Sequence, residues 1–171
     1  MTLAEYGKAG LGPRDRRPVH VWADQHVNLP SVLTGKGTYN QFISRHHHAV
    51  FEALEDDYVS TVVLQKPVRG GGTLISDVWH VSRRARDPGP AMVVLQDEAM
   101  ANDHAETRLI PMVRACELTA RLLPADRHKL RKNEIIFTDD LPLYITGPAI
   151  GKLTEIPNLA RLALIGTMPE N

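Results

Sequence analysis

Three consecutive glycines, Gly70-Gly71-Gly72, stand between a β-rich apolar run, Thr61-Val62-Val63-Leu64-Gln65, and a segment whose Leu74, Ile75, Val78 and Trp79 recur at helical spacing. Strand, glycine turn and helix in that order constrain the chain more than any other feature. The turn lets the backbone approach a ligand closely. Its N–H groups converge with the positive end of the following helix, which makes the unit a ready anion site. The octet Lys66-Pro67-Val68-Arg69-Gly70-Gly71-Gly72-Thr73 compares with G-x-x-x-x-G-K-[ST], in which lysine meets the β- and γ-phosphates and the hydroxyl ligates Mg²⁺. Gly71 and Thr73 occupy their expected places. The seventh position is Gly72 instead of lysine, a lysine stands first as Lys66, and Arg69 adds a second cation. A flexible lysine stem reaches the same phosphates from the front of the loop. A tight turn with no ligand is the alternative reading of the same glycines.

Around this unit, apolar and turn-forming segments alternate. Residues 1–38 are punctuated by Gly10, Gly12, Pro13, Pro18, Pro30, Gly35 and Gly37, which predicts an irregular arm. Helical spacing of Phe42, Ile43, Val50, Phe51 and Leu54 predicts a helix over 40–55. Past Asp87-Pro88-Gly89-Pro90 come a buried-type strand at 91–96 and a helix over 97–116, then a polar connection at 122–132. Two strands at 134–138 and 141–146 flank Asp139-Asp140, a hairpin turn, and a last strand covers 161–165. Strands alternating with helices predict an α/β fold, P-loop NTPase-like, with a mostly parallel sheet covered by helices on both faces. The expected division is an N-terminal arm and helix at 1–57 and a partial P-loop core at 58–171.

Charge narrows the range of partners. Lys and Arg number 20, matched by 20 Asp and Glu, so a surface that grips nucleic acid over its whole extent is excluded and any DNA contact is local. Basic residues cluster at Arg14, Arg16 and Arg17, at Arg83, Arg84 and Arg86, and at Arg127, Lys129, Arg131 and Lys132. Solvated helix ends and loops are the favoured reading of each cluster. The one cysteine, Cys116, excludes an internal disulfide and a multi-cysteine zinc site, and reads as a core residue. No apolar run is long enough to span a membrane and no secretory leader is evident, so no membrane partner is expected.

Other chemistry-bearing residues have plainer readings. His46-His47-His48 invites a metal, but adjacent helical histidines diverge by about 100°, whereas helical zinc pairs stand at i, i+4. The triplet is expected on a partly exposed helix face. Asp139-Asp140 reads as a turn before it reads as a cation site. Met100 and Met112 sit at helical spacing, as core residues do. Trp22 and Tyr39 either pin the N-terminal arm to the core or serve a ligand.

With these residues in view, the chain resembles the N-terminal ATPase region of the large terminase subunit of lambda-type tailed phages, the GpA-like DNA-packaging family. The opening Trp22-Ala23-Asp24-Gln25-His26-Val27-Asn28-Leu29-Pro30 is similar to the family's own, as is the stretch from Thr38 to Leu54. Lys66, Arg69, Gly71 and Thr73 match a loop of the type K-S-A-x-V-G-x-[ST], in which the lysine stands at the front; Pro67 and Gly70 depart from it. Asp87 to Val94 resembles the approach to the second strand, and Glu106-Thr-Arg-Leu-Ile-Pro-Met-Val-Arg114 the helix after it. The resemblance spans roughly residues 20–165.

The resemblance implies ATP and Mg²⁺ as cofactors, with Lys66 and Arg69 on phosphate oxygens, backbone N–H groups from Gly70, Gly71 and Gly72, and Thr73 on Mg²⁺. It places Tyr39, with Trp22 as the other aromatic, near the adenine. In a complete protein it implies ATP hydrolysis driving phage DNA into a procapsid. Double-stranded phage DNA, the small terminase subunit and the procapsid portal are then the partners, in the host cytoplasm. Where the family's last strand ends in Asp-Glu, this sequence reads Gly166-Thr167, and neither residue acts as a metal-linked carboxylate or general base. The ATPase core is therefore expected to be incomplete, and the chain a truncated gene product, a prophage remnant or a fragment, without the nuclease that family members carry. Catalytic residues stay unassigned. The alternatives are a non-catalytic prophage remnant and a binding module for the small terminase subunit.

Overall fold

A computed structural model describes residues 15–30, 37–40, 45–65, 70–148 and 161–165. In chain order, α1 (Val19–His26), β1 (Asn28–Leu29) and β2 (Gly37–Thr38) precede a 3-10 turn at Arg45–His47 that runs into α2 (His48–Glu55). Next come α3 (Gly72–Arg86), β3 (Ala91–Val94) and α4 (Glu98–His104). A π turn at Ala105–Leu109 joins α4 to α5 (Ile110–Ala115), and α6 (Glu117–Ala120), β4 (Glu134–Ile136), β5 (Pro142–Thr146) and β6 (Arg161–Leu164) follow.

The main sheet has the order β4-β5-β3-β6. β3 is buried along its whole length, as its uninterrupted apolar sequence requires of a strand covered on both faces. It runs parallel to β5, with Ala91 opposite Leu143, and parallel to β6, with Ala91 opposite Arg161. β4 pairs antiparallel with β5, so the sheet is mixed, with two parallel pairings around its central strand. The hairpin between them turns at Asp139-Asp140, as the sequence predicts. Asp140 adopts φ 58°, its N–H donates to the Phe137 carbonyl at 3.0 Å, and the Asp139 carboxylate accepts from Leu141 N–H at 3.3 Å. A separate two-stranded ribbon pairs β1 with β2.

Three differences from the sequence reading have physical causes. Thr61–Gln65 forms no strand, and Val63 is 88% exposed. β-branched composition suits a pleated surface only when a neighbour supplies the ladder, and among the described residues none pairs with this run. Of the helix expected over 40–55, residues 41–44 lie outside the described residues, Arg45–His47 form a 3-10 turn, and the α-helix runs over His48–Glu55. The helix expected over 97–116 is present but changes character midway. Pro111 has no N–H to give the Thr107 carbonyl, and the ladder widens to π geometry immediately before it.

The core joins α1, α2 and α3 to the sheet through Trp22, Tyr39, Phe51, Val78, Val93 and Ile145 among others. Glu55 ties the three helices at one end: it accepts from Val19 N–H at 3.0 Å and from Arg86 at 2.7 Å, and Arg86 lies over the Trp22 ring. The central basic cluster is absorbed into the fold. Arg83 pairs with Asp87 and Arg84 with Asp139, and the Arg84 guanidinium sits 3.9 Å over the Phe137 ring. Burial lowers the Arg84 pKa, with Asp139 opposing the shift. Cys116 is buried and free.

Candidate functional site

α3 begins at a glycine for a steric reason. Gly71, its N-cap, adopts φ 75° and ψ 8°, a left-handed conformation that L side chains avoid. A Cβ at Gly71 would also lie 2.7 Å from His47 Nε2 and 3.3 Å from its Cε1. Space and backbone conformation both demand glycine. The 15-residue helix then starts with no side-chain cap and no acidic residue in its first turn. Neither its N-cap residue nor its first turn supplies a side chain to compensate the N-terminal N–H groups and dipole, which suits an anion. Gly70, Gly71, Gly72 and the half-buried Thr73 form this turn and the start of the helix. Lys66 and Arg69 lie outside the described residues.

Behind the turn lies an aromatic wall. His47 is 2% exposed, not on an open helix face as the triplet reading expects. Its ring meets Phe51 edge-on and stands beside Tyr39, whose hydroxyl is 3.3 Å from His47 Nδ1. Burial, aided by the flanking His46 and His48, pushes its pKa down to about 4, so the ring is neutral at pH 7. Its Nε2 is buried with no hydrogen-bond partner. His48 turns the other way and stacks on His20 at 3.8 Å, while His46 is exposed and meets His47 edge-on. Among the described residues, no three His, Cys, Asp or Glu side chains gather around a common point. Tyr39 is 1% exposed, and stacking on an adenine would require a ring face to be uncovered. Trp22 is fully buried under Arg86.

Two acidic features escape a reading of the sequence by motif. Asp77, fully buried on α3, accepts from His104 Nε2 at 2.8 Å, and Arg108 Nε stands 3.8 Å from its other oxygen. The group clasps α3 to α4 and the π turn, with Asp77 fully buried and only Arg108 reaching solvent, so its role is structural. The signal for it in the sequence is a lone carboxylate amid Ile75, Val78 and Trp79. Asp97 and Glu98 follow central strand β3. Asp97 caps α4 by accepting from Met100 N–H at 2.7 Å, and Glu98 accepts from Gly147 N–H at 3.0 Å and the Thr146 hydroxyl at 3.3 Å. Gly147 is required there, because a Cβ would fall 2.6 Å from Glu98 N. Gly166 and Thr167, past the end of β6, lie outside the described residues.

A cavity of about 20 Å³ lined by His80, Arg84, Phe137 and Leu143 holds one water at most and no nucleotide.

The sequence matches the family described as phage terminase large subunit gpA, ATPase domain, over residues 36–162. No curated protein and no solved structure matches.

Proposed function

Because the chain belongs to the family of the phage terminase large subunit gpA ATPase domain, we propose that it serves as the nucleotide-binding part of a phage DNA-packaging ATPase. The observation that carries the reading is the left-handed Gly71 at the uncapped N-terminus of α3. In this reading Gly70, Gly71 and Gly72 offer backbone N–H groups to the phosphates of ATP, and Lys66 and Arg69 neutralise their charge. Thr73 would hold Mg²⁺ through its hydroxyl, and the ion would neutralise phosphate charge. A helix start with no side-chain cap and no acidic residue in its first turn fits that anionic group on its own chemistry.

Double-stranded phage DNA, the small terminase subunit and the portal are the partners of this activity in the host cytoplasm. None of the helices among the described residues is long and apolar enough to cross a membrane. With Arg83, Arg84 and Arg86 each engaged by a carboxylate, DNA contact falls to other residues.

A second reading, a module that retains nucleotide without turning it over and docks the small subunit, is favoured by the state of the carboxylates. Gly166-Thr167 follows the last strand, while Asp97, Glu98, Asp139 and Asp140 are held in a cap, a strand-to-helix contact and a turn. Calorimetric titration with Mg²⁺-ATP tests the binding common to both readings. Lys66→Ala and Thr73→Ala are expected to weaken it, and equal binding by wild type and both variants would remove the loop's role. Steady-state phosphate release, absent in the second reading, separates the two.

A further inference from the structure

His47 belongs to none of the roles so far assigned to the turn, yet its ring forms the wall against which Gly71 is packed. A histidine 2% exposed with an unpartnered ring nitrogen is costly, because the nitrogen has lost water and gained no partner. The unpartnered atom is also the one that lies against the turn. The Tyr39 hydroxyl stands 3.3 Å from Nδ1, and a hydrogen bond donated by the hydroxyl to that nitrogen would leave the ring proton on Nε2. In that tautomer a neutral N–H donor without an acceptor is held against the N-terminus of α3. Position seven of the loop octet, where a lysine would bring a donor, is Gly72.

We propose that His47 donates a hydrogen bond from Nε2 to a phosphate oxygen of a nucleotide bound at the Gly70–Thr73 turn, with Tyr39 fixing the tautomer that makes this possible. The inference rests on the nucleotide-binding reading above and assigns that site a further binding residue and a positioning residue. No proton is transferred. The imidazole stays neutral and exchanges an unsatisfied state for a bond to an anionic oxygen, the stronger class of hydrogen bond. The flanking His46 and His48 discourage a positive charge on the ring, and that agrees with a neutral donor.

The test uses the full chain with ¹⁵N-labelled histidine. The free protein should show Nε2 of His47 protonated and Nδ1 bare. Addition of Mg²⁺-ATP or of Mg²⁺-tripolyphosphate should move the Nε2 signal, and adenosine should leave it in place. By titration, His47→Leu should weaken Mg²⁺-ATP binding by about tenfold or more, the loss expected for one hydrogen bond to a charged group. His47→Gln, which keeps an N–H donor, should recover most of the affinity, and Tyr39→Phe should lose the tautomer preference. A wild type that binds Mg²⁺-ATP through Thr73 while the His47 signal stays fixed and His47→Leu binds equally well would overturn this inference alone. A wild type that binds no Mg²⁺-ATP would overturn the nucleotide reading together with it. Should His47→Leu fail to fold, the wild-type resonance decides.

Discussion

Replacing Gly71 by alanine strikes two constraints at once, and a double-mutant cycle separates them. At φ 75° a side chain costs about 1–2 kcal/mol from clash with its own backbone. The added Cβ would stand 2.7 Å from His47 Nε2, so the imidazole must swing away and give up its contact with Tyr39, at about 1 kcal/mol. Gly71→Ala is therefore expected to destabilise the protein by about 2–3 kcal/mol. In a His47→Ala background the steric part disappears and the backbone part remains, leaving about 1–2 kcal/mol. The coupling between the two positions is then about 1 kcal/mol, which exceeds the ~0.3–0.5 kcal/mol within which independent sites add. Urea unfolding followed by fluorescence of the buried Trp22 and Trp79 measures all four corners of the cycle. Additive costs would refute the packing of His47 on the turn. A cost below about 0.5 kcal/mol in both backgrounds would refute the left-handed start of α3.

Asp77→Ala strands buried His104 without its carboxylate and removes the partner of half-buried Arg108; it should cost about 3–5 kcal/mol, read as a lowered urea midpoint. Because the His47 pKa is depressed to about 4 from its ordinary 6.5, the native state binds fewer protons than the unfolded chain. Stability should then fall as pH drops from about 6.5 toward 4, by about 3 kcal/mol at most, and His47→Phe should flatten that slope. Asp15, held near 2 from 3.8 chiefly by its hydrogen bond with Arg17, adds a separate loss that begins below pH 3.8 and runs down through about 2. Negligible phosphate release is expected from the isolated chain. Gly166→Asp with Thr167→Glu should strengthen Mg²⁺-dependent binding yet leave single-turnover hydrolysis slow, and a large rate gain would show that the missing carboxylates are all that hydrolysis lacks.

The features legible in the sequence are those set by local pattern. The unbroken Ala91–Val94 run reads as a doubly covered strand, Asp139-Asp140 as a turn, and Gly70–Thr73 as the start of α3. Features decided by distant partners were not legible. Thr61–Gln65 has the residues of a strand but lacks a neighbour, a fact that no local window contains. Asp77 meets His104 across two helices and an intervening strand. The histidine triplet was visible from the start, but only the placement of Tyr39 and Gly71 on either side of His47 distinguishes its buried middle ring from its neighbours.

The parallel pairings of β3 also govern how the chain comes to be folded. Both of its sheet neighbours, β5 and β6, lie far downstream in sequence. While the chain is being made, the apolar stretch from Ala91 to Leu95 leaves the ribosome long before either flanking strand exists, and local helix formation cannot satisfy its backbone. Pairings this distant must overcome loop-closure entropy before they are rewarded, so assembly is slow compared with that of a helical bundle. Until β5 and then β6 arrive, β3 is a sticky, unpaired ribbon of the kind chaperones shield. The central strand, the best protected element of the finished protein, is thus its most vulnerable one during synthesis.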